Sequence, residues 1–247
     1  MRHHHEIEHG PPTREQVRER PLRVALAVTA VFLIAEVVGG LVSGSLALLA
    51  DAGHMFTDVA ALALALFAFW IARQPATPER TYGYYRAEVL AALVNATTLV
   101  LIAFYIFFEA YHRLGSPQAV DVLPMLGVAT LGLIANGVSA WILAQGEAEN
   151  LNLRGALLHV IADALGSVGV IVAGIVILLT GWTPADPVVA ILIGVLVLWS
   201  GITLLRESVD VLLEATPKGI DPREVEQALV QLPGVAGVHD LHIWTVT

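Results

Sequence analysis

Six apolar stretches govern what this chain can become: residues 22–43, 45–72, 86–113, 118–145, 150–180 and 186–213. Each reaches the roughly 20 residues a helix needs to cross a hydrocarbon core about 30 Å thick. In such a medium every backbone N–H and C=O must find its partner within the segment, so each stretch reads as an α-helix. The first runs straight into the second through Gly39, Gly40 and Gly44 and is too long for a cleaved signal peptide. Only 14% of the 247 residues are charged and the mean hydropathy is +0.72, whereas soluble domains carry about 25% charged residues. An ordinary soluble enzyme and a disordered chain are thereby excluded. The net charge of −9 argues against nucleic acid as a partner. With no cysteine there is no disulfide, thiolate metal site or cysteine nucleophile.

Twelve of the thirteen Lys and Arg residues precede span one, follow span six, or lie at the 2–3 and 4–5 connections; Arg113 alone falls on the other side. Basic residues stay cytoplasmic, so both termini are expected in the cytoplasm. The chain divides into an N-terminal tail (1–21), a six-span bundle (22–214) and the start of a C-terminal domain (215–247). In the last, Asp221 and Pro222 open an amphipathic helix over residues 221–232, with Val225, Ala228, Leu229 and Leu232 as its apolar face. Residues 238–246 alternate as a strand does. One helix and one or two strands cannot bury a core alone, so this domain reads as truncated here, or as completed by a partner.

Ionisable groups inside a span are costly, and spans two and five carry the same pair. His54 and Asp58 are spaced HxxxD, and so are His159 and Asp163. Residues four apart share one helix face. Counted from the span ends at 1.5 Å per residue, both pairs fall near the midplane. Antiparallel packing then sets His54 level with Asp163 and Asp58 level with His159. Two nitrogens and two oxygens suit tetrahedral zinc; cobalt and cadmium also fit, whereas magnesium and calcium want six or more oxygens. The two carboxylates carry −2, which one divalent cation or two protons would cancel. An empty charged site in low dielectric is expensive, so metal and protons compete. Alternate opening to the two sides would turn that competition into metal–proton antiport.

Other polar groups admit two readings. Asp51 and Asn152 lie on the same faces as the pairs, as lining of exit and entry routes or as polar groups near helix ends. Glu36, Asn95 and Asn136 read as interhelical hydrogen bonders. Arg86 and Glu88 are expected to pair with each other or with a neighbouring helix, and Glu109 and His112 need no special role. His3, His4, His5 and His9 either collect metal or form a dispensable tail. His239 and His242 are secondary metal candidates; on an alternating strand they face opposite sides, so one alone would bind at a domain interface. Ala162, Gly166, Gly169 and Ala173 let a neighbouring helix approach span five closely.

AEVVGG at 35–40, GSLALLADAGHMFTD at 44–58, YGYYRAE at 82–88, LNLRGALLHVIADALGS at 151–167 and GVHDLHIW at 237–244 resemble the cation diffusion facilitators. The zinc, cobalt and cadmium resistance branch and its eukaryotic zinc-transporter relatives are the nearest match. The resemblance implies an all-α six-span bundle followed by a ferredoxin-like α+β cytoplasmic domain, in the inner membrane of a bacterium. It implies a homodimeric, proton-coupled exporter with Zn2+ as transported substrate, and it carries the transport ligands onto His54, Asp58, His159 and Asp163. Structural zinc in the cytoplasmic domain is a further implication. Residues 74–85 contain no His or Asp and residues 145–150 no His, so no metal site is expected in either loop. An intramembrane metalloprotease is the competing enzyme class, but HExxH is missing and four protein ligands would close the site to a catalytic water. A sensor that binds metal without moving it is a third reading, separable by flux into everted vesicles.

Overall fold

The computed structural model describes residues 19–71, 78, 83, 84, 86–144 and 151–246. The N-terminal histidine tail, nearly all of the 2–3 loop and the whole 4–5 loop lie outside the described residues, and so do the expectations placed on them. Six long helices follow one another: α1 (Glu19–Ser43), α2 (Leu46–Ile71), α3 (Arg86–Gly115), α4 (Val122–Ala144), α5 (Leu151–Thr180) and α6 (Ala185–Leu212). The short α7 (Pro222–Val230) comes last. The largest departure from expectation is the start of α4. Asp121 sets it, donating its backbone N–H to Ser43 O at 2.8 Å while its carboxylate faces the Leu123 N–H at 3.4 Å.

The distribution of side chains is that of a bundle in lipid. Leu123, Tyr111, Trp199 and Leu179 are between 74% and 78% exposed, whereas Ala47, Ala50, Ala96, Ala103 and Ala190 are fully buried. Lipid is as apolar as a protein interior, so large side chains gain nothing by turning inward, and small ones let backbones approach. All six helices are long and apolar enough to span. The chain is an integral, multi-pass membrane protein.

The most extensive pairings are α3 with α6, α4 with α5 and α1 with α2; α2 also borders α3, α5 and α6, which makes it central. One end of the bundle, here the turn end, carries the α1–α2, α3–α4 and α5–α6 connections. The other, the tail end, carries α7. At the turn end Gly44 takes φ +68°, a conformation that disfavours any side chain. The α2 start is then capped from α6: Asp186, fully buried, accepts from Ser45 Oγ at 2.6 Å, Leu46 N at 2.7 Å and Ala47 N at 3.1 Å. Arg113 of α3 approaches the same carboxylate at 3.9 Å, donates to Gly44 O at 2.5 Å and pairs with Glu109 at 2.8 Å. Glu109 therefore does have a role: it holds Arg113 in place.

At the tail end, α6 stops before Pro217 as Glu214 turns left-handed at φ 59°. Arg86 reaches Glu214 at 2.5 Å, which makes its partner the turn after α6 rather than Glu88. Asp221 caps α7 through Arg223 N at 2.9 Å with Pro222 next, as expected. Among the described residues no strand forms over 238–246, and the ferredoxin-like α+β domain is not assembled. A strand needs a neighbour to take up its backbone hydrogen bonds, and none of the described residues supplies one. The apolar face of α7 correspondingly has no buried residue.

Candidate metal centre

Close approach of α2 and α5 begins with a missing side chain. A Cβ at Gly166 would stand 2.5 Å from Asp51 Oδ1, so the bare α-carbon makes room for that carboxyl group where α5 lies against α2. One turn toward the tail end, His54 of α2 meets Asp163 of α5, Nε2 to Oδ1 at 3.1 Å. This is the cross-helix level that antiparallel depth matching predicts. The two side chains are 22% and 15% exposed, partly sequestered but not sealed. Asp58 lies four residues after His54, about 6 Å further along the axis. His159 lies one turn before Asp163 in α5; its side chain falls outside the described residues, as does that of Asn152. Among the described residues no three potential metal ligands cluster.

Asp58 and Asp163 share the wall of a cavity of about 400 Å³. Glu36, Asn136, Ser139 and Thr29 supply most of its remaining polar lining. Thr29, Ala61, Ser139 and Val160 all stand on the tail-end side of the acidic pair. In the other direction Leu46, Ala47, Leu48 and Ala50 are fully buried. Among the described residues the cavity lining thus runs from the acidic pair toward the tail end, while the start of α2 on the turn-end side is tightly packed. Asp51 is 4% exposed and is packed on Gly166, outside the cavity lining. In the C-terminal segment, His239 is exposed and contacts its neighbour Asp240 at 3.2 Å; His242 is also exposed, and the two are not gathered into a ligand cluster.

The sequence matches the cation efflux transmembrane domain over residues 22–213, most of the chain. The chain belongs to the cation efflux family. Its relatives in that family include the metal cation efflux system protein CzcD of Cupriavidus metallidurans, 52% identical over 229 residues, 93% of this chain and 72% of the relative. Zinc transporter ZitB of Escherichia coli is 48% identical over 246 residues, 99% of this chain and 78% of that protein. A cadmium, cobalt and zinc/H(+)-K(+) antiporter of Bacillus subtilis is 41% identical over 240 residues, 96% and 77% of the two chains.

Two features of this cation efflux protein escape a reading of its sequence. The first is the Asp186 cap, which joins residues about 140 positions apart; only an acidic residue in the first turn of a span, beside Pro184 and Pro187, hinted at it. The second is Glu36. It is 3% exposed, yet its Oε2 has no hydrogen-bond partner among the described residues.

Proposed function

We propose that this protein exports a divalent transition metal ion from the cytoplasm in exchange for protons. Zinc is the foremost substrate, with cadmium and cobalt alongside, and His54, Asp58, His159 and Asp163 are the ligands. The observation that carries this reading is the 3.1 Å approach of His54 Nε2 to Asp163 Oδ1 beside a cavity that Asp58 also lines. Two ligands bonded to tetrahedral zinc at about 2.0–2.1 Å stand about 3.3 Å apart. The observed pair is thus spaced within a few tenths of an ångström of one edge of a zinc tetrahedron. A proton on the imidazole would offset the carboxylate charge when metal is absent, and ligation requires that proton to leave.

The basic-residue bias places the tail end in the cytoplasm, so the cavity is the entrance and the turn-end plug keeps the far side closed. Outward release needs a second arrangement in which the plug opens. The relatives bear names of metal efflux, zinc transport and cation antiport, and transport rather than catalysis fits four protein ligands that leave no position for a reacting water. We place the protein in a bacterial inner membrane as a homodimer. His239 or His242 is its candidate ligand for a structural zinc completed from elsewhere in the assembly.

The test is reconstitution in liposomes with a pH-sensitive dye inside. Zinc added on the cytoplasmic face should be taken up while protons leave the lumen, and Asp163→Ala should abolish both. Zinc flux with no proton movement would remove the antiport mechanism. Near-normal flux in Asp163→Ala would remove the ligand assignment.

A further inference from the structure

One turn beyond His54 and Asp163, toward the turn end, lies a second layer of acidic groups that the four-ligand site does not use. Glu36 Oε1 and Ser167 Oγ converge on the bare α-carbon of Gly132, at 3.6 and 3.3 Å from where a Cβ would stand. Ser167 follows Asp163 by four residues, about 6 Å along α5. Asp51 abuts Gly166, the residue beside Ser167. Glu36 and Asp51 are thus gathered around the same turn of α5, and they are 3% and 4% exposed. Glu36 also lies within Coulombic range of Asp51, Asp163 and Asp58.

Glu36 borders the cavity that Asp58 and Asp163 line, and Oε2 has no protein partner among the described residues. A buried carboxyl oxygen left without a hydrogen bond inside a membrane is costly. Intramembrane ionisable groups of this kind mark ion routes. The arithmetic of charge points to the occupant. Ionised by an arriving cation, Glu36 and Asp51 would together carry −2, the same total as Asp58 and Asp163, so a divalent cation that moves one turn could pass from one neutralising pair to the next. Conduction through a low-dielectric region calls for such successive sites, each attractive enough to enter and weak enough to leave. Six-oxygen cages are not in view here, so the second layer would hold the ion loosely, with water completing its shell.

We propose that Glu36, with Asp51, forms a second cation-binding station on the exit side of the four-ligand site and takes the metal ion as it leaves toward the turn end. This rests on the transport reading above.

The test uses the full chain in liposomes with zinc as the probe. Glu36→Gln keeps the shape and removes the charge. Maximal zinc flux should fall about tenfold, by analogy with the 10- to 100-fold effects of groups that support a metal site. Equilibrium zinc affinity of the four-ligand site should stay close to that of wild type, because none of the four ligands has changed. The ratio of protons released to zinc moved should also be unchanged. Unaltered flux overturns the proposal. So does a parallel loss of equilibrium affinity, which would make Glu36 a ligand of the first site, or an altered proton ratio, which would make it a proton carrier. Should Glu36→Gln fail to insert, labelling of wild-type Glu36 by dicyclohexylcarbodiimide, read by peptide mass spectrometry, decides instead. Zinc and not magnesium should slow it, and equal labelling with and without zinc overturns the proposal. A wild type that moves no zinc fails the transport reading; a wild type that moves zinc beside an indifferent Glu36→Gln fails only the second station.

Discussion

Replacing Asp186 with alanine should destabilise the folded bundle by about 3–5 kcal/mol, the range for removing one partner of a buried charged network. The structure gives the parts. The Leu46 and Ala47 N–H groups, which lie at 2.7 and 3.1 Å from the carboxylate, lose their acceptor in a site with no exposure. Each orphaned buried donor costs about 1–3 kcal/mol. Ser45 Oγ loses its 2.6 Å acceptor but still receives the Leu48 N–H at 3.1 Å. Arg113 retains Glu109 and Gly44 O, so its loss is smaller. Asp186→Asn keeps one acceptor oxygen and should cost about half as much. The pair Lys218–Glu207, exposed and 2.7 Å apart, is the internal control, because solvent screening leaves a surface pair little to contribute. Denaturant-dependent unfolding in detergent micelles, followed by tryptophan fluorescence, measures all three. Asp186→Ala within about 0.5 kcal/mol of wild type, the usual range for surface substitutions, would refute the claim that this cap anchors α2. Because α2 carries His54 and Asp58, the same variant should also bind zinc more weakly in proportion to how far α2 frays.

Asp163→Asn should lower zinc affinity by more than about a hundredfold, since groups that merely orient a ligand already cost about 10- to 100-fold; calorimetric titration checks it, and the far-ultraviolet spectrum should not change. Gly166→Ala puts a Cβ 2.5 Å from Asp51 Oδ1, so the buried carboxyl group must swing aside or α2 and α5 must part. Overpacking of this kind costs about 1–3 kcal/mol, and the His54–Asp163 pair should lose zinc affinity with it, read by unfolding and by titration on one sample. Zinc binding should weaken as pH falls from about 7.5 to about 5.5, because each proton on a ligand excludes metal. Affinity that stays flat across that window would contradict ligation by His54 and His159.

What the sequence determined by itself is local. Apolar run lengths place the six spans within a few residues, as their α-helical ends confirm. Asp221 with Pro222 announces α7, and the repeated HxxxD spacing singles out four side chains. Each of these is a property of neighbours along the chain. Residues 238–246 show the limit: alternation marks strand potential, but a ladder needs a second strand. Which helices touch was decided only by the tertiary structure. In a bilayer both lipid and interior are apolar, so the pattern along a span does not say which face turns inward. The Asp186 cap on α2, the Arg86–Glu214 tie and the convergence of Glu36 and Ser167 on Gly132 join residues that no periodicity links. Packing of small residues brought them together. The same packing sets the acidic pair in the wall of one cavity lined by α1, α2, α4 and α5, a property of four helices at once and of no single stretch of sequence.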